Sequence, residues 1–465
     1  PYPRTAVSTG WHGVTIHIDD HDYSVSYTRQ FILAELRGRF RPHNCANGLL
    51  NTLLWHGKSL SRCRHDGVTA MSAHLDDEHE MIRNSTREFL EAEIEPDLPE
   101  ADRKPMSKAD AIEYQQMLGE LGIGPGDTES DGFADPMTYT VTSEEISRVW
   151  PSLNVTLNMS FPTIFAPYAG EETADALADK LDDGSCIGCM AVTEPDGGSD
   201  TANPGTTAEK DGDEYVINGE KTWVSNAPIA DMALVVAQDT DAGQRDFFIV
   251  DTVTNDIETR ELDKLGWKGS PTGQIFFDDV RVPEDNKLMN AVMNMLASGE
   301  SDLAENEMFQ TGDPLNAMFA YMRTGMAAMS VGIMQAAYEA ALDYSKEREV
   351  FGGPIAGHQL VQEHLYNIRA GLETGRLLTY EAARKVAEGD PEARMYSSLA
   401  KGWVCEKSVD VADEALQVHG GNGLSKDYPL ERYYRDARTM TIPDGTTDIQ
   451  QLVVGKELTG VRAYK

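Results

Sequence analysis

The 465-residue sequence has few cysteines, few basic side chains and no long apolar run. Its five cysteines are too few for a disulfide framework in so long a chain, which indicates a reducing interior. No stretch reaches the ~18 uninterrupted apolar residues of a spanning helix, so we expect no integral membrane protein. Lys and Arg number 40 against 77 Asp and Glu, and such an acidic surface would repel nucleic acid and anionic lipid.

Common phosphate-binding and metal-binding patterns are also missing. The glycines of Gly122–Gly126 follow a predicted helix rather than a strand, so they cannot open a dinucleotide-binding fold. The C-x-x-C motif of Cys186–Cys189 lies in a predicted strand, where positions i and i+3 face opposite sides, and no second pair accompanies it. We predict no metal site; the open alternative is a zinc held by His43-x-Cys45 and Cys63-x-His65, whose spacing matches no strong pattern.

The acidic charge is spread unevenly along the chain. Residues 1–70 carry eight basic and five acidic groups, whereas the remaining 395 residues carry 32 and 72. Met71 precedes an acidic helical pattern, so we interpret residues 1–70 as an upstream extension without a chemical role; a genuine accessory arm is the alternative. A net charge of −40 on the remainder destabilises a compact fold unless salt screens it, and the screening length falls to ~3 Å at 1 M salt. We therefore expect a salt-adapted cytoplasm, such as that of a halophilic archaeon.

The organisation of the chain changes twice. Apolar residues first recur at helical spacing, then about seven short β-prone runs follow one another between turn residues, and helical spacing returns after Pro283. Long helices are predicted at about 318–348, 358–388 and 393–418. We predict an α+β fold of three parts: an N-terminal helical domain (71–184), a middle antiparallel β domain (185–287) and a C-terminal domain resembling a four-helix bundle (288–465).

A hairpin is predicted within the β domain. Asn218-Gly219 lies between two β-prone runs in the segment 215–224, and this dipeptide favours a two-residue turn between antiparallel strands. A tight turn at Gly219 is therefore expected.

Three groups of motifs carry a family resemblance. The first is Met190–Asp200, which contains Thr193-Glu194-Pro195, and the second is Asn218–Asn226, which contains Lys221-Thr222-Trp223. The third group lies in the C-terminal helical part and comprises Arg348–Gly352, His358-Gln359, Gln417–Gly423, Tyr434–Ala437 and Ile442–Gln450. In this order, over roughly residues 75–460, the motifs resemble the acyl-CoA dehydrogenase family.

The resemblance implies an FAD enzyme that forms a homo-oligomer, a tetramer or a dimer. Short hydroxyl side chains suit the flavin ring because they bond its nitrogen and oxygen atoms at close range, and a tryptophan can cover a ring face. An arginine offers a charged fork to a pyrophosphate, although Arg348 taken alone would more often be a solvated helix charge. The implied cofactor-binding residues are Met190, Val192, Thr193, Ser199, Trp223, Ser225, Arg348, Phe351, Gln359, Gln417, Gly421, Thr446 and Asp448.

The same resemblance places the catalytic base at Asp444. Most members of the family have Glu there, and a subset carries its Glu on the first helix after the β domain, where this chain has Met322. Asp444 is then the one carboxylate at either location, although Asp444 or Thr446 could instead cap the following helix. The implied substrate contacts are Ser199, Arg323 and Gly445.

The function implied is α,β-dehydrogenation of an acyl-CoA thioester to the trans-2-enoyl-CoA, with electrons passed to an electron-transfer flavoprotein. Two alternatives stay open, and the aspartate that replaces the usual glutamate at 444 suggests the first of them. One is a flavin oxidase of the same fold that acts on a small carbon acid, and the other is a catalytically silent interaction protein. The length and branching of the acyl group are not predicted, although Asn154, Asn158 and Ser160 are candidates for setting pocket depth.

Overall fold

The computed structural model describes residues 75–124, 135–298 and 314–463. The extension proposed for residues 1–70 and the alternative zinc arm lie outside these residues. Within them, helices precede a β-sheet and further helices follow it, which confirms the predicted fold class. None of the helices in these three ranges combines the length and the apolar character needed to cross a bilayer.

The N-terminal part consists of helices whose ends are set by local chemistry. Ser107 and Asp110 form a reciprocal capping box, and Asp135 accepts from two N–H groups of the helix that it precedes. The helices are α1 (Asp77–Glu93), α2 (Leu98–Ala101), α3 (Lys108–Gly119), α4 (Pro136–Val149), α5 (Pro151–Asn158) and α6 (Glu171–Asp182), with 3₁₀ turns at Glu95–Asp97 and Phe161–Tyr168.

The middle part is a seven-stranded sheet in which β4 occupies the interior. Strand β4 is buried on both faces: Ala233 and Val235 pack into one core, and Leu234 and Val236 pack against the 3₁₀ turn and a later helix. The strands are β1 (Gly188–Ala191), β2 (Thr207–Asp211), β3 (Glu214–Ser225), β4 (Met232–Asp239), β5 (Gln244–Asp251), β6 (Thr259–Glu261) and β7 (Thr272–Pro283). Their order is β1-β4-β2-β3-β7-β6, and β5 also pairs with β4.

The sheet differs from the antiparallel prediction at one place. Strands β1 and β2 both pair with β4 in the parallel sense, and the other ladders are antiparallel. The cause is the connection 192–206, which is long enough to bring the chain back without reversing it. This connection holds several of the residues predicted to bind the cofactor.

The predicted hairpin at Asn218-Gly219 is wrong. Strand β3 continues through both residues and pairs with β7, with shifts of register near Gly219 and near Trp223. The side chain of Asn218 bonds the backbone and carboxylate of Asp279 on β7, and Gly219 has φ +148°. The dipeptide therefore forms a β-bulge instead of a turn.

The C-terminal part is built on three long helices that pack on one another. Gly325 and Gly332 on α8 let it approach α4 closely, because an added Cβ would meet Tyr139 at the first position and the Glu144 carbonyl at the second. Two shorter helices pack on α10. The elements are α7 (Leu288–Ser298), α8 (Pro314–Glu347), α9 (Gln359–Ala387), α10 (Ala393–His419), α11 (Leu430–Met440) and α12 (Thr447–Thr459), with short strands β8 (Glu349–Val350) and β9 (Gly353–Pro354).

Candidate active site

Asp444 lies in the turn between α11 and α12. Both Asp444 and Gly445 adopt left-handed backbone conformations, with φ +55° and +87°. The hydroxyl of Thr446 accepts from the Ile449 N–H at 3.3 Å, so Thr446 caps α12 and Asp444 does not. The carboxylate of Asp444 is thus left available for another role, and its main-chain N–H makes no hydrogen bond to any other described residue.

The Asp444 carboxyl is a desolvated acid that faces two cations. Burial raises the pKa of Asp444, while the positive charges of Lys401 on α10 and Arg323 on α8 act in the opposite direction. A carboxylate held in such surroundings is a stronger base than one in water. This is the property that a general base for a weakly acidic C–H group requires.

Arg323 has unused hydrogen-bonding capacity. Its Nε and Nη1 atoms are buried and have no partner among the described residues, and its guanidinium lies 5.7 Å from the centre of the Phe319 ring. Desolvation and the nearby Arg394 lower the pKa of Arg323 to about 10, against the attraction of Asp444. Unpartnered guanidinium donors of this kind suit an oxygen atom of a ligand.

A small recess of about 40 Å³ lies between α4 and α5. Its lining includes Tyr139, Ser143, Asn154 and Asn158, and the ring of Tyr139 stacks on Tyr321 of α8 at 4.3 Å. Burial, and next the negative charge of Asp444, raise the pKa of Tyr139. The charge of Asp444 therefore acts on a residue that lines the recess.

Two of the three candidates for pocket depth line this recess. Asn154 and Asn158 are joined by a hydrogen bond of 3.2 Å between their side-chain amides. Ser160 is not among the lining residues, and its hydroxyl accepts from the Gly188 N–H instead. Ser160 therefore serves to join the N-terminal part to β1.

A second group of predicted residues surrounds the end of β1. Thr193 accepts a backbone hydrogen bond from Thr222 at 2.9 Å, which holds the segment after β1 against β3. Trp223 has φ +60° and an exposed fraction of 59%, and Ser225 follows it at the end of β3. Val192 is half-buried beside Thr193. This backbone contact thus brings the segment after β1 next to the part of β3 that carries the exposed indole ring.

Met190 and Ser199 behave differently from this group. The Met190 side chain is buried in the core beneath the sheet, so only its backbone could face a ligand. Ser199 lies on the exposed part of the connection between β1 and β2. Neither position is linked by a hydrogen bond of the described chain to Trp223.

A third group lies at one end of the C-terminal helices. The rings of Tyr344 and His419 stack at 4.1 Å, and the Asn422 amide donates to the Tyr344 hydroxyl, which joins the ends of α8 and α10. Phe351 is 96% exposed with φ +52°. The predicted residues at this end, all exposed, are Arg348, Phe351, Gln359, Gln417 and Gly421.

Thr446 and Asp448 begin α12 next to Asp444. Asp448 is exposed in the first turn of the helix, and Thr446 keeps its hydroxyl hydrogen for a further acceptor. Gly445 accepts hydrogen bonds through its carbonyl from Lys401 at 2.7 Å and from Gln450 at 3.1 Å. These contacts come from α10 and α12, and the sequence analysis did not identify either donor.

The described cysteines are core residues. Cys186, Cys189 and Cys405 are free and buried, and burial raises the pKa of Cys186 and of Cys189 to about 12. No group of three metal-ligating side chains occurs within residues 75–124, 135–298 and 314–463. The C-x-x-C motif therefore packs in and beside β1.

Comparison with known proteins places this architecture in one class. Family models of acyl-CoA dehydrogenase match in order: the N-terminal domain over residues 76–175, the middle domain over 189–280 and the C-terminal domain over 314–459. The 3-(aryl)acrylate reductase of Clostridium sporogenes is 33% identical over 395 residues, covering 82% of this chain and 98% of the relative. The mitochondrial short-chain specific acyl-CoA dehydrogenase of Homo sapiens is 31% identical over 401 residues, covering 85% and 92%.

Solved structures agree with these relatives. A glutaryl-CoA dehydrogenase from Mycobacterium smegmatis in complex with FADH2 superposes with a TM-score of 0.72 at 26% identity, covering 85% of this chain and 98% of that one. The helix–sheet–helix architecture and these matches thus define a flavin-dependent oxidoreductase. The chain belongs to the acyl-CoA dehydrogenase family.

This family is FAD-dependent, and the residues present fit that cofactor. The left-handed backbone at Trp223 turns an indole ring outward, where it can cover a planar ligand. Thr193, whose backbone bonds that of Thr222, and Ser225, two residues after Trp223, carry hydroxyl groups that suit the polar atoms of such a ligand. At Gly420 and Gly421 an added Cβ would meet nothing within 4 Å, so the backbone there is open to close approach by a ligand.

Proposed function

We propose that this enzyme removes the α-proton of an acyl-CoA thioester with Asp444 and yields the trans-2-enoyl-CoA. The observation that carries the proposal is the Asp444 turn: a desolvated carboxyl without a capping role, facing Lys401 and Arg323. When bound, FAD supplies the hydride acceptor of this chemistry. Every other part of the reaction depends on groups of the chain.

Proton removal needs stabilisation of the developing enolate oxygen. The α-proton of a thioester is too weakly acidic for a carboxylate in water, so fixed donors must face the carbonyl oxygen. The main-chain N–H of Asp444, which has no acceptor among the described residues, is the donor that we assign to this oxygen. Base and donor would then belong to one residue.

The remaining residues bind and orient. Val192, Thr193, Trp223 and Ser225 would line the flavin ring, with Met190 contributing backbone only. Arg323, Gly445 and Ser199 would contact the substrate, and the recess with Asn154 and Asn158 would receive the acyl end. Thr446 and Asp448 would contact the cofactor from the start of α12.

Assembly completes the cofactor site in this proposal. Arg348, Phe351, Gln359, Gln417 and Gly421 would hold the ADP half of FAD that belongs to a neighbouring subunit. The support is their shared exposure at one end of the C-terminal helices, with an almost fully exposed Phe351. We therefore propose a homo-oligomer, either a tetramer or a dimer. The acidic charge supports a salt-adapted cytoplasm, such as that of a halophilic archaeon, and the electron acceptor in this proposal is an electron-transfer flavoprotein.

The test is anaerobic addition of butyryl-, octanoyl- and palmitoyl-CoA to the purified holoenzyme in dilute and in molar KCl. We expect the flavin absorption to bleach with at least one thioester, and Asp444→Asn to lower the rate roughly 10²–10⁴-fold while keeping FAD bound. Asp413→Asn, at an exposed position on α10, is the control and should bleach normally.

Three outcomes contradict the proposal. Rapid oxygen consumption with a small carbon acid, and no response to any thioester, would identify the oxidase alternative. No flavin response to either class would identify a silent homologue. Normal bleaching by Asp444→Asn would show that another group removes the proton.

A further inference from the structure

Lys401 is fully buried and contacts the turn that carries Asp444. Its ammonium lies 2.7 Å from the carbonyl oxygen of Gly445 and 3.2 Å from that of Thr441. Both bonds go to main-chain oxygens, and no carboxylate of the described residues forms an ion pair with Lys401. Burying an ammonium without a paired carboxylate costs free energy, so this side chain needs an explanation beyond packing.

The turn itself is held in an unfavourable conformation. Asp444 and Gly445 have φ +55° and +87° in succession, and a left-handed conformation is unfavourable for a non-glycine residue such as Asp444. Such a conformation persists only where surrounding contacts determine it. Gln450 supplies one such contact, since its amide donates to the carbonyls of Asp444 and Gly445, each at 3.1 Å. Lys401 on α10 supplies a second contact through its hydrogen bond to the Gly445 carbonyl.

Lys401 also places its ammonium group where it acts on the charge of the base. The titratable or charged groups that face Asp444 are Lys401 and Cys405 of α10, Arg323 of α8 and Tyr139 of α4. Burial raises the pKa of Asp444, and Lys401 is the larger of the two cationic influences that lower it. Burial lowers the pKa of Lys401, and the negative charges of Cys405, Asp444 and Glu406 act in the opposite direction. Without Lys401, Arg323 alone would oppose desolvation.

We propose that Lys401 is a positioning residue for the base: it fixes the turn through the carbonyls of Thr441 and Gly445 and provides a positive charge next to the Asp444 carboxyl. This inference rests on the proposed function, because it takes Asp444 as the group that removes the proton. It assigns a role in the reaction to a lysine that touches neither substrate nor reacting atoms.

Two near-isosteric substitutions separate the two contributions. Lys401→Met removes both the hydrogen bonds and the charge, whereas Gln450→Met removes hydrogen bonds to the same turn and no charge. We expect both to lower kcat by about 10–100-fold, because a small displacement of the base is costly. We expect only Lys401→Met to move the acid limb of the kcat profile, by roughly 1 pH unit or more toward higher pH.

Lys407→Met on the same helix is the matched control. Lys407 pairs with Asp410 at the surface, so kcat and the pH profile should stay those of the wild type. The two main variants are expected to fold, because the Thr441 carbonyl keeps its bond from the Thr447 N–H and the Gly445 carbonyl keeps either Gln450 or Lys401. If Lys401→Met fails to bind FAD, Lys401→Gln takes its place in the experiment. Glutamine keeps an N–H donor but carries no charge, so the acid limb of the kcat profile should again move toward higher pH.

A crystal structure of the Lys401→Met holoenzyme gives a readout independent of turnover. We expect the Asp444-Gly445 turn to shift and Asp444 to leave φ near +55°. An unchanged turn together with a wild-type kcat and acid limb would overturn the inference. That result, combined with an inactive Asp444→Asn enzyme, would reject only the role of Lys401; an active Asp444→Asn enzyme would reject the proposed base itself.

Discussion

The ammonium of Lys221 lies 2.7 Å from a carboxylate oxygen of Glu194, and this ion pair joins β3 to the segment that follows β1. Lys221 is fully buried and also donates to the Val192 carbonyl at 3.1 Å. Glu194 accepts from the N–H groups of Gly205 and Thr206, and Lys221 with these donors lowers the pKa of Glu194 to about 2. The backbone of the proposed flavin-lining segment is thereby fixed from three directions.

We predict an asymmetry between the two partners of this pair. Glu194→Met leaves the buried ammonium with the Val192 carbonyl as its one remaining acceptor among the described residues, which should destabilise the fold by about 3–5 kcal/mol. Lys221→Met leaves a carboxylate that still has two N–H donors and some solvent, so the loss should be nearer about 1–2 kcal/mol. Thermal unfolding of the two variants and the double variant measures this.

The double variant supplies the control for that comparison. Because both single changes disrupt the same pair, the double variant should lose less stability than the two single losses added together. Equal losses of unfolding free energy in the two single variants would contradict the predicted asymmetry. Strictly additive losses in the double variant would show that Lys221 and Glu194 do not stabilise each other.

The long helices were predictable because their apolar residues repeat at a regular interval. The predicted segments 318–348, 358–388 and 393–418 correspond to α8 (Pro314–Glu347), α9 (Gln359–Ala387) and α10 (Ala393–His419). Asp444 was predicted as the base through the family resemblance, which a short local motif, Pro-Asp-Gly-Thr before a helical pattern, is enough to carry. These features depend on neighbouring residues alone, and so a single sequence contains them.

Buried lysines were not predictable in this way. Lys401 lies in a helical pattern and Lys221 in a β-prone run, and a lysine in either context normally faces solvent. Their burial results from contacts with residues 40 to 44 and 27 to 29 positions away, which no local pattern reports. The recess is similar, because Tyr139 and Tyr321 meet only after α4 and α8 pack.

The failed hairpin leads to a prediction at Gly219. An added Cβ there would lie 2.6 Å from the Thr206 hydroxyl and 2.7 Å from its Cα, at φ +148°. We expect Gly219→Ala to lower stability by about 2–4 kcal/mol, from overpacking and backbone strain together. The melting temperature of the holoenzyme measures this loss.

Gly212→Ala is the matched control for the strain component. Gly212 has φ +70° in the turn between β2 and β3, and a Cβ there meets nothing within 4 Å. Gly212→Ala should therefore lower the stability by only about 1 kcal/mol. A loss at Gly219 no larger than at Gly212 would show that Thr206 can move aside and that the bulge is not constrained by this contact.

Asp436 on α11 is a second buried acid, and it is not one of the proposed site residues. Its Oδ1 accepts from the Trp267 N–H at 2.6 Å, and its Oδ2 has no partner among the described residues. Burial and the charge of Asp102 raise the pKa of Asp436 to about 7, against the Trp267 N–H, Arg432 and Arg435. Lys264 also faces this carboxyl. The folded protein therefore holds a proton here that the unfolded chain releases near pH 4.

This proton makes stability depend on pH in a defined direction. Between the ordinary pKa of aspartate and about 7, the folded state binds more protons than the unfolded state, so stability falls as pH rises through that window and levels off above it. Asp436→Asn keeps an oxygen for Trp267 and carries no charge. We expect its melting temperature relative to the wild type to rise from pH 5 to about pH 7 and then to level off, with each kcal/mol worth about 2–4 °C. The control Asp413→Asn, at an exposed position, should have the melting temperature of the wild type at every pH. If the melting temperatures of Asp436→Asn and of the wild type change with pH in parallel, Asp436 is already ionised in the folded protein at pH 5.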